Sequence, residues 1–569
     1  MSVDKPNTRM KRHFVTIDGV RQVHYRRAGK GPTVLLLHQS PRSSKELEPL
    51  IELLSDRYTV IAPDRPGNGL SDRLGIDGPT MYDFADGLAK LLTALGIDKV
   101  AVYGFHTGAC EGAAFTSRYP ERVHGAILNG VVSLTPEVRK DFLDNYLTAF
   151  KPVWDGGHMV WAWARFREQS IFFPWHAPSL ANRRHAGLPD NDSIHEQVME
   201  FLRSGDEYRN PYGAAFKLEG DKAVATFKVP AIVCASSWDP LVKQLPAMAR
   251  NAPACVTIKD LGPGNNDEVW AWLKTEIGRF AKGEAPPPPK VTPLRGGRTM
   301  QDYVDIPGGQ LHVRRTPEVA GRPLFVQHDA ASDNNVVDKV TRQFDGKRTT
   351  FALDLPGNGE SDNTIGTEGI TVERYATVVG QAMDSLGIKD ADFYGMWGGG
   401  LVGLDLANQR PGAIKHLAMS NVIYLDEAER QDLLANYTFP IVPDKYGTHL
   451  LKCWHAMRDQ GLWWPWYNTT RAGILREEPY VDTGMVQTRV LAMLKAGNMW
   501  QHAYRSHFRY DTHGALQKLS VPTLLCAPTW DPNYKHTQAA HKAAPRTKWM
   551  ELPAAPPAWA GAMLPFLDS

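Results

Sequence analysis

The sequence predicts an α/β protein with two tandem domains, each a mostly parallel sheet flanked by helices and carrying an inserted helical cap. Short apolar segments alternate with amphipathic ones, which is typical of parallel strands that helices cover on both faces. A helical, polar and aromatic block interrupts this alternation once in each half of the chain. The two halves also share a run of residues, Asp64–Asp72 and Asp354–Asp362, that sets them in register.

The shared run belongs to a duplication that spans most of the 569 residues. Asp64 returns as Asp354 after 290 positions, and Gly104 returns as Gly395 after 291. A nearly constant offset of this length indicates a tandem domain repeat and excludes a solenoid of short units. Four consecutive prolines between the copies favour an extended, semi-rigid linker. The predicted bounds are 1–282 for the first domain, 283–297 for the linker and 298–569 for the second domain.

Apolar runs place the strands of the first copy, and the gap between two of them places its cap. The runs that predict strands lie at 33–38, 58–63, 100–103, 125–129 and 229–234. An amphipathic stretch over 81–95 predicts a crossover helix. The alternation stops after Val132 and resumes at Val229, so we predict the first cap at about 134–228 and the second at about 425–518.

A sharp turn framed by glycines follows the central strand of each copy. In the first copy the segment Gly104–Gly108 leads into a predicted helix that ends before Pro120, and its central residue is His106. In the second copy the equivalent turn has Trp397 at its centre. Such a turn lifts its central side chain above the sheet, which is how the G-x-S-x-G elbow presents a serine.

In these features each half resembles the α/β-hydrolase fold family, in the branch with a cap after the sixth strand. The further markers are Leu37-His38-Gln39 in the usual H-G place and Asp239 after the strand that ends at Cys234. The resemblance implies that His106 stands in the nucleophile's place and Asp239 in the acid's place. The family's histidine is missing, because Asn265 or Asn266 stands where it is expected. In the second copy Trp397, Asp531 and the segment Ala554–Pro557 stand at the three places, so we expect a pseudoenzyme domain.

His106 admits three interpretations. It is a general base paired with Asp239, which fixes its tautomer, while Gln39 and the Thr107 N–H stabilise an oxyanion. Alternatively it binds a metal together with His158 or His176, although their spacing matches no ligand motif. Finally, it only fills a tight turn in a site that has lost its activity. We favour the first interpretation, with no metal and no cofactor.

Aromatic and basic residues of the cap are candidates for a roof over His106. A flat, apolar and anionic substrate would suit aromatic rings with one guanidinium among them. Most cap aromatics nevertheless belong to a core, since aromatic stripes usually pack. The candidate substrate-binding residues are Arg42 in the loop after Gln39 and, in the cap, His158, Trp163, Arg167, Trp175 and His176.

These features favour an enzyme with non-serine, His/Asp acid–base chemistry acting on a small aromatic or apolar, anionic substrate. The favoured reaction is hydrolysis by direct attack of water, and a cofactor-independent lyase or isomerase reaction is the next candidate. The rival class is a non-catalytic binding or scaffolding protein. A net charge of +2, without basic runs interleaved with aromatics, argues against nucleic acid as a partner. The absence of a signal peptide or long apolar run predicts a cytoplasmic protein without a membrane partner. Domain 2 is expected to pack on domain 1 or to support a homo-oligomer.

Overall fold

A computed structural model of the chain describes residues 10–184, 186–475 and 482–569. Residues 1–9 of the predicted first domain and 476–481 of the predicted second cap lie outside the described residues. The chain divides into two compact units. The first unit consists of Arg9–Lys151 with Trp161–Thr292, and the second of Pro293–Ser569 with Pro152–Val160. The boundary at Thr292 falls inside the predicted linker, whereas Pro152–Val160, predicted to belong to the first cap, groups with the second copy.

The first unit is built on an eight-stranded sheet of order β1-β2-β4-β3-β5-β6-β7-β8. The first two strands pair antiparallel, β2 pairs antiparallel with β4, and the other neighbours are parallel. The strands are β1 Met10–Ile17, β2 Arg21–Ala28, β3 Thr33–Leu37, β4 Thr59–Pro63, β5 Val100–Phe105, β6 Val123–Asn129, β7 Ala231–Ala235 and β8 Val256–Asp260. The helices are α1 Glu48–Leu54, α2 Met81–Ala94, α3 Thr107–Arg118, α4 Pro136–Asp141, α5 Gly157–Ile171, α6 Asn191–Ser204, α7 Arg209–Lys217, α8 Gly220–Ala225, α9 Leu245–Ala249 and α10 Asn266–Ile277.

The second sheet repeats the first, with the order β9-β10-β12-β11-β13-β14-β15-β16. Its strands are β9 Met300–Ile306, β10 Gly309–Arg315, β11 Leu324–Gln327, β12 Thr350–Leu353, β13 Ala391–Met396, β14 Ile414–Ser420, β15 Thr523–Ala527 and β16 Lys548–Glu551. The helices that follow are α11 Asp338–Thr341, α12 Val372–Ser385, α13 Gly398–Gln409, α14 Glu427–Asn436, α15 Thr448–Asp459, α16 Thr483–Ala496, α17 Met499–Arg509, α18 Thr512–Lys518, α19 Tyr534–Ala543 and α20 Trp559–Leu567.

The predicted fold class is confirmed, because each sheet is mostly parallel and flanked by helices. The central strands β3, β5, β6 and β7 are buried almost throughout, as their continuous apolar sequences require. Helices α4–α8 lie between β6 and β7, and α14–α18 lie between β14 and β15. These insertions fall at the predicted cap positions.

The repeated Asp-x-Pro-Gly-x-Gly run has a structural role in both copies. Buried Asp64 accepts hydrogen bonds from the N–H of Ser44 and of Leu70, at 2.8 and 2.9 Å. Gly69 has φ +52°, and a Cβ there would come within 2.0 Å of the Asp64 carboxylate. The run therefore holds a tight loop in place, and the loop requires the aspartate and the glycine at these positions.

The first residues of the predicted linker are attached to the first sheet. The Gly283 carbonyl accepts the Thr33 N–H at 2.9 Å, and the Pro286 carbonyl accepts Arg27 Nη1 at 2.6 Å. The predicted linker therefore begins against the first sheet, because carbonyls among its first four residues accept hydrogen bonds from strand residues.

A buried ion pair lies beneath the turn of the first copy and has no counterpart in the second. Arg65 Nε donates to Glu111 Oε2 at 2.6 Å, and both side chains are almost completely buried. The positions equivalent to Arg65 and Glu111 hold Leu355 and Val402. The same fold is thus built once with a buried charge pair and once with two apolar residues.

Candidate active site

His106 lies at the tip of a strained turn between β5 and α3. Its backbone has φ 48° and ψ −111°, a conformation that costs free energy in a residue with a side chain and persists only where the surroundings enforce it. The two flanking glycines make the turn possible. A Cβ on Gly104 would lie 2.2 Å from the Gly108 carbonyl oxygen, and one on Gly108 would lie 2.1 Å from that of Leu37.

The His106 ring is paired with the carboxylate of Asp239, which follows β7. The distance from His106 Nε2 to Asp239 Oδ2 is 2.5 Å. The His106 side chain is 30% exposed and that of Asp239 is 2% exposed, so the imidazole is accessible while its partner is buried. Burial raises the pKa of Asp239, but the His106 ring and a hydrogen bond from the Leu241 N–H outweigh burial and hold the pKa below its usual value.

A guanidinium that the sequence did not single out also acts on this pair. The positive charge of Arg184 contributes to the lowered pKa of Asp239. Arg184 lies in the loop after α5, where its Nη1 donates to the Gln169 carbonyl at 3.4 Å and its N–H to that of Ile171 at 2.7 Å. It follows an irregular segment without a motif, so spacing alone could not have found it.

Gln39 is predicted to donate to an oxyanion, but its backbone N–H is already used within the chain. Its backbone N–H donates to Glu46 Oε1 at 2.7 Å and its side-chain Nε2 to Glu46 Oε2 at 2.9 Å. Burial raises the pKa of Glu46, with Arg42 the main opposing influence. The prediction of Gln39 as an oxyanion donor is corrected on this ground, because a carboxylate already accepts from both groups. Arg42 Nε in turn lies 3.9 Å from Glu46.

The remaining predicted donor, the Thr107 N–H, begins helix α3. Within residues 10–184, 186–475 and 482–569, that N–H donates to no side chain. The equivalent N–H of the second copy belongs to Gly398 and donates to Asp329 Oδ1 at 2.9 Å. A carboxylate of the chain itself therefore takes the oxyanion position of the second copy.

The tip of the second turn repeats the strained geometry with a different side chain. Trp397 has φ 49° and ψ −121°. Its indole donates to Asp531, as His106 pairs with Asp239. Burial raises the pKa of Asp531 to about 7, because an indole supplies no charge to offset the loss of hydration.

The stability that these two aspartates contribute should therefore change with pH in opposite directions. The folded chain keeps the proton on Asp531 that the unfolded chain releases near pH 3.8, so stability is lost as the pH rises from about 4 to 7. Asp531→Asn should remove this loss and raise the Tm of the second unit more at pH 8 than at pH 5. The lowered pKa of Asp239 adds stability above pH 3.8 that is lost as the pH falls, so Asp239→Asn should lower the Tm at pH 8. Calorimetry over pH 4.5–8 checks both, and an Asp531→Asn effect independent of pH would contradict the account.

The guanidinium enclosed by the aromatic rings of the first insertion is that of Arg165, and not that of the predicted Arg167. Arg165 is 1% exposed, and its Cζ lies 5.2 Å from the centre of the Trp175 ring. Arg167, two positions along α5, is partly exposed and lies 3.5 Å from Glu168. The i, i+4 relation of Trp163 and Arg167 places them on one helix face, but that face turns towards solvent before Arg167.

The other candidates of the cap have partners of their own. His158 Nε2 lies 3.0 Å from Gln487 Oε1, and both residues belong to the second unit. His176 Nε2 lies 2.9 Å from Asp141 Oδ2. Trp163 is 1% exposed and belongs to the core of the insertion. In the described part of the chain, no three His, Cys, Asp or Glu side chains are grouped to hold a metal ion.

Comparison with known proteins adds to this geometry. The family model described as the alpha/beta hydrolase fold matches residues 32–199. The uncharacterized hydrolase YNR064C of Saccharomyces cerevisiae is 30% identical over 190 residues, which are 31% of this chain and 59% of that protein. The 2-(acetamidomethylene)succinate hydrolase of Mesorhizobium japonicum is 33% identical over 135 residues, or 23% of this chain and 47% of that protein. The chain thus spans about half the length of these relatives.

Among solved structures, a thermophilic esterase from Thermogutta terrifontis is 20% identical, with a TM-score of 0.36, over 48% of this chain and 100% of its own. Among the described residues, no helix is long and apolar enough to cross a membrane. The repeated sheet order and the family match together show that the chain has the alpha/beta hydrolase fold, in two consecutive copies.

Proposed function

We propose that the first unit is an enzyme that uses the His106–Asp239 pair as a general acid–base catalyst, in place of a serine nucleophile. The observation that carries this proposal is the 2.5 Å contact between an accessible imidazole and a buried carboxylate at the tip of the strained turn. Strain of this kind is retained at functional sites more readily than in ordinary turns. The substrate is a small, apolar or aromatic molecule with a negative charge.

The pair supports hydrolysis by direct attack of water. Because ionised Asp239 accepts a hydrogen bond from the Nε2–H of His106, Nδ1 is left as the nitrogen that can take a proton from water. The hydroxide then adds to the carbonyl carbon, and the Thr107 N–H donates to the oxygen that becomes negative. When the bond to the leaving group breaks, the imidazolium returns its proton to that group, so the enzyme is regenerated without a covalent intermediate.

The second unit supplies no second catalyst in this proposal. Trp397 carries no basic nitrogen, and the N–H of Gly398 is already used by Asp329. Tyr504 adds a further hydrogen bond to that carboxylate at 3.2 Å, which holds it in the position that a substrate oxygen would need.

A turnover screen combined with intact-protein mass spectrometry tests the proposed function. Aromatic esters, lactones and β-keto acids, each with a carboxylate, are offered to the whole chain at pH 7.5. The expected result is turnover of at least one substrate with no mass adduct on the protein during the steady state. An acyl adduct would contradict direct water attack. Absence of turnover across the series, together with tight binding of its members, would favour a binding protein.

A further inference from the structure

A buried arginine in the first insertion has no acidic partner. Arg165 is 1% exposed, and its one hydrogen bond runs from Nη1 to Gln169 Oε1 at 2.9 Å. Within the described residues no carboxylate lies within 4 Å of it, and its Nε and Nη2 have no acceptor. Five aromatic rings surround the guanidinium at 4.9–5.8 Å, those of Tyr146, Phe166, Trp175, Phe201 and Tyr208.

Such an environment is unfavourable for a charge unless something else pairs with it. Cation–π contacts offset part of the lost hydration, at about 0.5–2 kcal/mol each. They leave two N–H donors unused, and an unmet donor in a buried site is itself destabilising. A carboxylate of a ligand would satisfy both donors at once, because the fork of a guanidinium matches the two oxygens of a carboxylate.

Arg165 is connected through Gln169 to the second cation of the site. The Gln169 side chain accepts from Arg165, and its backbone carbonyl accepts from Arg184 Nη1. Arg184 is the residue whose charge reaches Asp239, the partner of His106. One glutamine therefore links a buried guanidinium of the insertion to a half-buried guanidinium beside the catalytic pair.

The duplication provides an internal comparison for these cations. Arg165 and Arg184 correspond to Ala456 and Leu475, and the register is fixed by bridges that pair Phe172 with Arg183 and Trp463 with Ile474. Three of the five surrounding rings stay aromatic, with Tyr437 and Trp466 at the places of Tyr146 and Trp175, and Trp500 at the place of Tyr208, whereas methionines replace the two phenylalanines. The residues at both positions are thus apolar in the copy that also lacks the histidine, and there a different arginine, Arg489, donates to Gln460, the counterpart of Gln169.

Arg42 follows the same pattern, since the equivalent residue is Ser332. The charge of Arg42 lowers the pKa of Tyr212, but burial raises that pKa more strongly. Arg42 Nε lies 3.9 Å from Glu46. Glu46 offsets the charge of Arg42. Among the described residues no carboxylate lies within 4 Å of Arg165, and the charge of Arg184 acts on Asp239.

We infer that Arg165 and Arg184 bind two separate carboxylates of one substrate, so that the first unit acts on a dianion. Arg165 holds one carboxylate within the aromatic rings, and Arg184 holds the other near His106. This inference rests on the proposed function for the identity of the reacting site, but its test measures binding and not turnover.

The experiment compares dicarboxylates with matched monocarboxylates by calorimetry on the whole chain. The probes are phthalate, succinate and glutarate, with benzoate and butyrate as the monoanions. At least one dianion should bind the wild type more tightly than its monoanion. Arg165→Met and Arg184→Leu should each weaken that binding by about ten- to a hundredfold, the loss expected for a charge-assisted hydrogen-bond pair.

Arg167→Met is the matched control, because it removes a partly exposed arginine two positions from Arg165 on the same helix. It should leave dianion binding unchanged. Thermal unfolding separates binding from folding, since replacing an unpaired buried charge by an apolar side chain should leave the Tm of Arg165→Met at or above that of the wild type.

Three results would overturn the inference. These are equal affinity of the wild type for dianions and monoanions, unchanged dianion binding by Arg165→Met, and an equal loss in the Arg167→Met control. His106→Ala should bind the dianion as the wild type does, so a failure of the catalytic proposal would appear in turnover while this binding pattern persists.

Discussion

Replacing Arg65 by leucine is expected to destabilise the first unit by about 3–5 kcal/mol, the usual effect of leaving one member of a buried ion pair unpaired. Arg65 and Glu111 are 1% and 2% exposed, so water cannot hydrate the remaining carboxylate. Burial raises the pKa of Glu111, and the loss of Arg65 removes the main opposing influence. Glu111→Val should have a comparable effect, because it leaves the buried Arg65 guanidinium without its carboxylate.

The double variant Arg65→Leu, Glu111→Val reproduces the pair Leu355 and Val402 of the second copy. It should recover most of the lost stability, because no buried charge remains and both residues have already been accommodated in the same fold. Arg65 Nη2 also donates to the His38 carbonyl at 2.5 Å, and the loss of this bond sets the part that is not recovered. Calorimetry of the three variants gives the coupling free energy between Arg65 and Glu111. If the double variant loses as much stability as the two single variants added together, this explanation is contradicted.

Asp239→Asn is expected to lower kcat by about 10²–10⁴, the usual range for removing general acid–base assistance. The carboxylate stabilises the imidazolium that forms when His106 takes a proton, and a neutral amide cannot. The amide oxygen can still accept the Leu241 N–H that now binds Oδ1 at 2.8 Å, so the backbone around residue 239 should be preserved.

The pH profile distinguishes lost chemistry from misplacement of the ring. Loss of the carboxylate charge should change the shape of the acidic limb of the kcat profile, whereas misplacement of the ring should lower kcat by the same factor at every pH. Asp531→Asn, the same change in the second unit, serves as the control and should leave kcat unaltered. A normal kcat in Asp239→Asn would show that the pair is not the catalyst.

The architecture could be predicted because its determinants are local and repeated. Continuous apolar runs specify buried parallel strands. Glycine is required at 104 and 108 because a Cβ there would lie 2.1–2.2 Å from a carbonyl oxygen, that of Gly108 or that of Leu37 on the neighbouring strand. Because the second copy repeats the markers, they can be compared at two places in the sequence. The resemblance to the α/β-hydrolase fold family assigns His106 and Asp239 to the nucleophile and acid places, and the two side chains are in contact at 2.5 Å.

The insertion could not be predicted with the same success, because its side chains are arranged by packing between helices. The assignment of Arg167 relied on i, i+4 spacing with Trp163, and spacing does not reveal where a helix face meets solvent. A buried arginine without an acid is unusual in a core, so the sequence gives no sign that Arg165 is the enclosed guanidinium. The prediction for Gln39 failed because Glu46, seven residues away, already accepts the Gln39 backbone N–H and one N–H of its side-chain amide.

The most direct test of the account is the turnover of His106→Ala compared with that of Trp397→Ala, measured on the whole chain with a substrate found in the screen. The two residues occupy the same strained position, with φ 48° and 49°. We predict that His106→Ala loses turnover by at least about 10²-fold while keeping its Tm and its affinity for a dianion, and that Trp397→Ala retains full turnover. Turnover that survives in His106→Ala, or that is lost equally in both variants, would contradict the assignment of His106 as the catalyst.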